Sequence, residues 1–307
     1  MKILSIGNFG NSWDNSVCDE ENIADALEIK GHEVERLQRD NVQDYDWDST
    51  SHDFTLIAQW GNYGEMVVKI KESGKHGPTV YWAFDHQWHA KENWHMFLVE
   101  NCDVFLTKDH VHEYREINPN TYWLPQDFAP SFLNANFDDN RPEKTIPVLF
   151  TGTYLPDATV RTELLKAVDK HFDLHIYSIT DQAWIDQGFK NVHPAVVDEG
   201  LMDLIPRARV NLSIDIFQAE GFWSDRNAQI MACGGVVLFK HVPMSELIFR
   251  DAIQYFHTEE QMLSKIAWLL EQPLWMVEMY AWTFARNNLM VGHRVDDLLV
   301  ILEGFID

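Results

Sequence analysis

Short apolar runs alternate with longer amphipathic stretches along the first part of the chain. Helical patterns occupy about Ser16–Lys30, Gly61–Ser73, Trp88–Asn101 and Asp109–Ile117. Between them lie strand candidates at Lys2–Gly7, Glu33–Leu37, Asp53–Ala58, Thr79–Ala83, Asp103–Thr107 and Thr121–Leu124. Short apolar strands separated by helices of about 10–15 residues are typical of βαβ units, so this pattern predicts a parallel sheet.

A polar segment, Asn136–Lys144 (NFDDNRPEK), then interrupts the alternation and is the best linker candidate. Beyond it the strand-like runs are IPVLFTG, DLHIYS, VNLSID, GVVLF and IQYFH, and helical patterns lie near Thr159–His171, Asp198–Arg207 and Ser224–Cys233. The tail from Glu259 to Asp307 is helical throughout. We therefore predict an α/β protein with two Rossmann-like domains that face a cleft. The first domain comprises residues 1–140 and the second residues 141–285, and a helical segment follows at 286–307.

Composition narrows the possible partners. The chain has 307 residues, and its 46% hydrophobic content is typical of a globular protein. Lys and Arg number 24 against 48 Asp and Glu, so the formal charge is −24. This acidic balance disfavours nucleic acid and anionic membranes as partners, although a local basic pocket for a small anion is compatible with it.

The sequence predicts neither export nor membrane insertion. The start MKILSIGNFG has too short an apolar run for a signal peptide, and no stretch approaches the roughly 20 apolar residues of a membrane span. Cys18, Cys102 and Cys233 lie far apart and form no CxxC pair. We therefore expect a cytoplasmic protein in which Cys102 and Cys233 are inert core residues.

The segment Gly221–Phe249 carries the clearest chemical signal. It contains a polar loop, a helix that begins at Ser224 and Asp225, a Gly-Gly turn and the buried strand GVVLF. Ser or Asp at a helix start satisfies free backbone N–H groups, and such a start also attracts phosphate. Arg226 in the first turn interacts unfavourably with the helix dipole. A diphosphate ligand nearby would explain why an arginine stands at this position. The alternative is a surface arginine paired with Asp225.

Both halves of the chain open on a strand that runs into a glycine turn, KILSIGNFGNSW and IPVLFTGTY. Gly7 and Gly10 do not form a GxGxxG fingerprint, so the pattern does not favour a dinucleotide oxidoreductase. Glycines after a strand let a ligand approach backbone N–H groups closely. We therefore expect the loop with Gly10 and the loop with Gly152 and Thr153 to be binding loops, with a simple βα turn as the alternative for the second.

Four segments resemble one family, in the same order and over most of the chain. The run SDRNAQIMACGGVVL resembles the signature SDR-x-x-E-x-x-ACG, and ADALEIKGHEVERL resembles a first helix and second strand. ENCDVFLTKDHVHEYREINPNTYWLPQDFAP and FTGTYLPDATVRTELLKAV resemble the end of a first domain and the opening of a second. The chain is thus similar to CgeB-like glycosyltransferases, relatives of glycosyltransferase family 4. The resemblance implies a GT-B fold, with two Rossmann-like domains facing a cleft and C-terminal helices crossing back.

The resemblance also implies an activity and a donor site. A sugar would move from a nucleotide-diphosphate donor to a hydroxyl acceptor, with no cofactor or bound metal and with retention of the anomeric configuration. Arg226 would bind the diphosphate through its planar fork of donors, and Gly152 and Thr153 would face the same phosphates. Gln229 stands where the family has a Glu that binds the donor ribose, and this departure weakens the donor assignment. Ser224 and Asp225 are either ligands or only caps.

Further candidates follow the buried strand YWAF in the first domain. Asp85 is a candidate general base or sugar-hydroxyl ligand, and His86 a candidate hydrogen-bond partner of the transferred sugar. His86, His89 and His95 raise the alternative of a zinc site, because histidines at positions i and i+3 share a helix face. No cysteine or third well-spaced ligand supports it, so no metal site is predicted. Arg161 could reach the same anion, but as an arginine on a helix surface we expect it to be solvated. Trp13, Trp60 and Trp223 occupy loop positions suited to stacking on a sugar.

Two other functions remain open at this point. The first is a catalytically weak nucleotide- or sugar-binding protein on the same fold, which Gln229 motivates. The second is a viral-type glycosyltransferase that acts on modified bases in DNA, which the charge of −24 disfavours. If the reaction inverted the anomeric configuration, Asp85 would be the base.

Overall fold

The computed structural model describes residues 1–10, 18–58, 64–84, 93–128, 130–134, 137 and 141–306. The chain divides into two compact units: unit 1 comprises Met1–Gln126 and Val291–Asp307, and unit 2 comprises Asp127–Met290. This division differs from the sequence boundaries. The first unit ends before the expected linker, and the chain returns to unit 1 at Val291 rather than at residue 286.

Unit 1 is built on six parallel strands. They are β1 Lys2–Gly7, β2 Glu33–Gln38, β3 Phe54–Ala58, β4 Thr79–Ala83, β5 Val104–Thr107 and β6 Thr121–Trp123, and their order in the sheet is β2-β1-β3-β4-β5-β6. The helices described between them are α1 Asp19–Ile29, α2 Gly64–Ser73, α3 Asn93–Asn101 and α4 Val111–Arg115. Strands β3, β4 and β5 are buried along their whole length, which is why they are continuous apolar runs rather than alternating ones.

Unit 2 repeats this plan. Its strands are β7 Ile146–Thr151, β8 Leu174–Ser178, β9 Asn191–Pro194, β10 Ala208–Ser213, β11 Val237–Lys240 and β12 Gln254–Phe256, in the order β12-β11-β10-β7-β8-β9. The register is parallel throughout. Its helices are α5 Thr159–His171, α6 Asp181–Asp186, α7 Glu199–Leu204, α8 Arg226–Ala232, α9 Ser245–Phe249, α10 Glu259–Glu271 and α11 Trp275–Asn288.

The last helix, α12 Val291–Leu302, belongs to unit 1 and packs against α1. Its buried residues are Val291, Val295, Leu298 and Leu302, whose spacing of three to four positions forms one apolar stripe. That stripe joins a core cluster which includes residues of α1, β3 and β4. The hydrophobic effect therefore holds this helix on unit 1.

Each sheet has a topological switch point, where the strand order reverses. In unit 1 it lies between β1 and β3, and in unit 2 it lies between β7 and β10. Parallel α/β sheets bind their ligands beyond the carboxyl ends of the strands at such points. The loops that follow β7 and β10 are therefore the first place to look for a site in unit 2.

The sequence pattern located most of these elements. Strands β1 and β4 and helix α5 have the predicted bounds, and most of the other strands differ by one or two residues. Two elements were missed, helix α6 and edge strand β9. The sequence of β9, NVHP, contains two polar residues and a proline and has no apolar run to mark it.

Candidate functional site

Three charged side chains meet at the switch point of unit 2. Arg226 is the first residue of α8, Arg161 lies in the first turn of α5, and Asp215 follows β10 by two residues. The guanidinium carbons of Arg161 and Arg226 lie 5.7 and 5.5 Å from the centre of the Phe150 ring, near the end of β7. Two cations thus share one aromatic ring by cation–π contact.

Gly152 makes room for this arrangement. A Cβ atom at Gly152 would lie 3.2 Å from Nη2 of Arg226 and 3.0 Å from the Phe150 ring. Both distances are shorter than ordinary contacts, so a larger residue would push the guanidinium away from the strand end. The requirement for glycine therefore comes from the arginine that lies over it as well as from the turn.

Arg161 is buried, so the expectation that it is solvated on its helix was wrong. It is 2% exposed, and its Nη2 donates to the carbonyl oxygen of Thr153. Burial, and then the neighbouring charge of Arg226, lowers the pKa of Arg161 to about 10, while Asp215 acts in the opposite direction. That value is still well above neutral, so the site holds two positive charges at pH 7.

Asp215 is a site residue that the sequence reasoning missed. Its buried Oδ1 accepts hydrogen bonds from the Ser224 hydroxyl at 2.8 Å and from the Ser224 N–H at 3.3 Å. The same oxygen lies 3.6 Å from Nη1 of Arg226. Its position was visible in the run VNLSID, since Asp215 is the acidic residue just beyond a buried strand. The alternative pairing of Arg226 with Asp225 is therefore replaced by a pairing with Asp215.

The start of α8 is not capped as the sequence predicted. Neither Ser224 nor Asp225 provides a side-chain cap, because Ser224 is bonded to Asp215 and Asp225 has helical backbone angles. The Asp225 carboxylate instead accepts a hydrogen bond from Nε2 of Gln229, one turn later. The four residues Ser224, Asp225, Arg226 and Gln229 are thus brought together, but tertiary contacts rather than capping arrange the first two.

The glycine loop after β7 offers fewer free amides than expected. The Gly152 N–H donates to the carbonyl of Tyr177 at 3.1 Å, and the Tyr154 N–H donates to the Thr180 hydroxyl at 2.7 Å. The Gly152 carbonyl accepts from the Trp184 ring nitrogen at 3.0 Å. In this loop, amide binding of a phosphate would therefore fall to Thr153, with Gly152 contributing space.

Several buried polar atoms at this place lack a hydrogen-bond partner among the described residues, although Arg226 Nη1 is within ion-pair distance of Asp215. Arg161 Nε, Arg226 Nη1, Asp215 Oδ2 and both polar side-chain atoms of Asn227 make no hydrogen bond to the residues that the structure describes. Buried polar atoms are nearly always paired, and an unpaired one costs about 1–3 kcal/mol. Unsatisfied donors beside two guanidinium groups suit an anionic ligand with several oxygens.

The equivalent loop of unit 1 is occupied by acidic side chains. The Gly10 N–H donates to Glu21 at 3.0 Å, and the Asn8 N–H donates to Glu20 at 3.4 Å. The Phe9 N–H donates to Gln38 at 2.9 Å. The amide that the sequence assigned to ligand binding at Gly10 is therefore already paired with a carboxylate.

Several candidates lie outside the described residues, namely Asp85, His86, His89, Trp13 and Trp60. Trp223 is 1% exposed and packs on Phe249, so it is a core residue and not a platform for a sugar. Both ring nitrogens of His95 contact tyrosine hydroxyls, those of Tyr81 and Tyr114. Within the described part of the chain, no cluster of three His, Cys, Asp or Glu residues could hold a metal ion.

Among the described helices, none combines the length and the apolar character needed to cross a membrane.

Residues 161–299, somewhat less than half of the chain, match the family model described as glycosyl transferase-like. The matched region begins at Arg161 and contains Asp215, Arg226 and Gln229. No curated protein matches the sequence.

Solved structures match the whole chain. The sucrose-phosphate synthase of Thermosynechococcus elongatus superposes with a TM-score of 0.66 at 11% identity, covering 99% of both chains. An α-glucosyltransferase in complex with UDP and a 13-mer DNA containing an HMU base gives 0.68 at 11% identity, again covering 99% of both. HepE of Anabaena, in complex with UDP and glucose, gives 0.62 at 12% identity and 99% of both. The chain therefore has the GT-B fold of glycosyltransferases, as the resemblance implied.

Proposed function

We propose that this protein is a glycosyltransferase that moves a sugar from a nucleotide-diphosphate donor to a hydroxyl acceptor. One observation carries the proposal. Arg161 and Arg226, both largely buried, converge on the Phe150 ring at the switch point of unit 2, with the Asp215 carboxylate beside Arg226. A buried excess of positive charge is costly unless a ligand neutralises it, and a diphosphate has the matching charge and oxygens.

The two arginines would assist the chemistry as well as binding. When the bond between sugar and diphosphate breaks, negative charge accumulates on the leaving diphosphate. Cations already fixed at that place stabilise the transition state more than the ground state. Arg226 would contact the diphosphate directly, because its side chain remains 17% exposed. Arg161, held by the Thr153 carbonyl, would contribute a fixed positive charge behind the loop.

We assign the donor ribose to Asp225 and Gln229. The Gln229 amide nitrogen donates to the Asp225 carboxylate, so the pair brings a negative charge to the position where the resembling family has Glu. The carbonyl oxygen of Gln229 and the carboxylate of Asp225 would accept hydrogen bonds from ribose hydroxyls. A missing Glu at position 229 is therefore compatible with donor binding.

We further propose retention of the anomeric configuration without a bound metal, as the resemblance implies. In that case the departing diphosphate takes the acceptor proton on the same face of the sugar. If the product instead has the inverted configuration, Asp85 becomes the candidate base. Measuring the anomeric configuration of the product separates these two reactions.

The acceptor class is open, and DNA belongs in the panel of acceptors. One structure of similar fold was solved with DNA that contains a modified base. The charge of −24 disfavours extended contact with a phosphate backbone, so we propose a small hydroxyl acceptor first and a modified DNA base second. If no DNA binding is detected even at low salt, the second possibility is removed.

The test is a thermal-shift screen over nucleotide-sugars, followed by an assay of sugar transfer to a panel of hydroxyl acceptors and DNA. A ligand that binds the folded state raises the unfolding temperature by mass action. We expect at least one nucleotide-sugar to stabilise the protein and to be consumed in the presence of an acceptor. Stabilisation without any transfer or hydrolysis would favour a binding protein of the same fold. No stabilisation by any nucleotide or nucleotide-sugar would contradict the proposal.

A further inference from the structure

We propose that Asp215 is a positioning residue, which orients Arg226 toward the loop after β7 and keeps the two arginines close enough to grip one diphosphate. This inference rests on the proposed function. It assigns a role to a residue that no sequence motif marked. Asp215 is 3% exposed and lies nine residues before Ser224 in the chain, so a tertiary contact brings it to the start of α8.

The geometry of Arg226 supports this role. Its Nη1 lies 3.6 Å from Asp215 Oδ1, and its Nη2 lies 3.2 Å from the place that a Cβ atom of Gly152 would take. A guanidinium held at one nitrogen by a carboxylate presents the rest of its fork in a fixed direction. Asp215 therefore determines which nitrogen of Arg226 faces the glycine loop.

Repulsion between like charges also supports this role. Arg161 and Arg226 lie over the same Phe150 ring, so two positive groups are held close together. The charge of Arg226 contributes to the lowered pKa of Arg161, and Asp215 counteracts it. Without this carboxylate, the half-buried Arg226 would swing away from the buried Arg161.

One oxygen atom of Asp215 contacts both the backbone before Arg226 and the guanidinium of Arg226. Oδ1 of Asp215 accepts both hydrogen bonds from Ser224, two residues before Arg226. The backbone from which Arg226 extends and the guanidinium at its end are thus held by the same carboxylate. An asparagine at this position would keep the hydrogen bonds from Ser224 if its oxygen took the place of Oδ1, but it would lose the charge.

The test compares Asp215→Asn with the exposed control Asp203→Asn by calorimetric titration of UDP and of inorganic pyrophosphate. We expect the Kd of Asp215→Asn to rise roughly tenfold, since a charge-assisted contact is lost, and that of Asp203→Asn to stay unchanged. In an Arg226→Gln background, Asp215→Asn should add little, because the side chain that it orients is gone. A purely structural role would instead lower the unfolding temperature and add in full to Arg226→Gln.

Two further outcomes decide the matter. Ligand binding by Asp215→Asn equal to that of the wild type would overturn the positioning role while leaving the donor site intact. Wild-type protein that binds neither probe would overturn the donor site and the positioning role together. If Asp215→Asn does not fold, Asp215→Glu retains the charge with a longer stem, and we expect intermediate affinity. Wild-type affinity in Asp215→Glu and in Asp215→Ala would again refute the role.

A separate observation in unit 1 carries a second inference. A chain of hydrogen bonds runs from Glu35 through His52 and His76, which precede β3 and β4, to the carbonyl of Trp47. The distances are 3.0 Å from Glu35 to His52 Nε2, 2.9 Å between the two Nδ1 atoms, and 2.9 Å from His76 Nε2 to the carbonyl. His52 is 6% and His76 1% exposed.

Counting protons along this chain fixes its charge. The Trp47 carbonyl only accepts, so His76 Nε2 carries a proton, and the contact between the two Nδ1 atoms requires one more. Burial of Glu35 works to raise its pKa, but hydrogen bonds from Tyr45 and His52 outweigh it and the pKa is lowered, so this carboxylate accepts a hydrogen bond from His52 Nε2, which must carry a third proton. Two rings thus hold three protons.

We infer that His52 and His76 together hold one positive charge beside the Glu35 carboxylate, because their two rings share three protons. The groups around the pair are consistent with a cation, since Tyr45 and Trp47 place their rings 6.3 and 5.4 Å from that of His76. Lys2 acts on both Glu35 and His52 and opposes the charge. Loss of the extra proton would break the hydrogen bond between the two Nδ1 atoms.

Nitrogen NMR of the histidine rings in the full chain tests this inference. We expect three of the four ring nitrogens of His52 and His76 to be protonated at pH 7. His76→Gln, which cannot carry the charge, should leave His52 as a neutral ring. Two neutral rings in the wild type at pH 7 would overturn the inference. The exposed His112 provides a reference ring.

Discussion

The first βα loops of the two units occupy equivalent places in their sheets and carry opposite charge. Each follows the first strand of its sheet at the switch point. In unit 1, Glu20 and Glu21 accept hydrogen bonds from the loop amides of Asn8 and Gly10. In unit 2, Arg226 and Arg161 surround the loop that begins at Gly152. One topology therefore supports both an acidic loop and a basic one.

The glycines in the two loops show the same contrast. A Cβ atom at Gly7 would lie 2.6 Å from the side chain of Glu20, whereas a Cβ atom at Gly152 would lie 3.2 Å from Arg226. Each glycine accommodates the charged side chain that defines its loop. Because an anion is repelled by carboxylates that already hold the amides, we propose unit 2 as the place of the donor diphosphate. Fold alone would not have made this distinction.

The largest expected effect comes from removing Arg226, the half-buried arginine beside the basic loop. Arg226→Ala should lower donor turnover tenfold or more, because losing a phosphate contact costs about 1.4 kcal/mol or above. The measurement is the rate of sugar transfer, or of donor hydrolysis, at saturating acceptor. Arg207→Ala, an exposed arginine in the same unit, is the matched control. An unchanged rate in Arg226→Ala would remove its assigned role.

A smaller effect is expected from the glycine that makes room for Arg226. Gly152→Ala adds a methyl group where the guanidinium and the Phe150 ring leave too little space, so the donor KM should rise severalfold. In an Arg226→Ala background the same change should have little further effect, because the displaced group is absent. Equal effects in both backgrounds would mean that Gly152 acts through the turn alone.

Gln229→Glu is expected to weaken donor binding by a few-fold rather than restore it. The new carboxylate would face Asp225 in place of the present hydrogen bond, and like charges one helical turn apart repel. The double variant Asp225→Asn with Gln229→Glu exchanges the two groups and should recover affinity. Tighter donor binding by Gln229→Glu alone would show that the Asp225–Gln229 pair does not bind the ribose.

The smallest effect is expected in the acidic loop of unit 1. Glu21→Gln weakens the ion pair with Arg36 and the contact with Gly10, and a partly exposed pair of this kind contributes about 1 kcal/mol or less. The unfolding temperature should fall slightly, while the donor KM stays unchanged. A donor KM that responds to Glu21→Gln would break the contrast between the two loops.

The sequence was sufficient for the fold because the signals involved are local. Apolar strands such as β4 and amphipathic helices such as α5 have the bounds that their periodicity predicted. The failure at β9 has the opposite cause, since that short edge strand is held by pairing with β8 and has no apolar run of its own.

The site was only partly predictable, because its contacts join residues far apart in the chain. Arg226 was found from its unusual place in a helix start, but the burial of Arg161 depends on Phe150 and Thr153, which its own helix pattern does not show. Ser224 has the chemistry of a cap and lost that role to Asp215. Local propensity therefore identified the residue types, and tertiary contacts decided what they do.

The most direct test of the central claim is a calorimetric titration of UDP, GDP and ADP into wild-type protein, Arg226→Ala and Glu21→Gln. The account predicts that at least one nucleoside diphosphate binds the wild type, binds Arg226→Ala at least tenfold more weakly, and binds Glu21→Gln with unchanged affinity. Binding that survives Arg226→Ala intact and is altered by Glu21→Gln would contradict the assignment of the donor to unit 2.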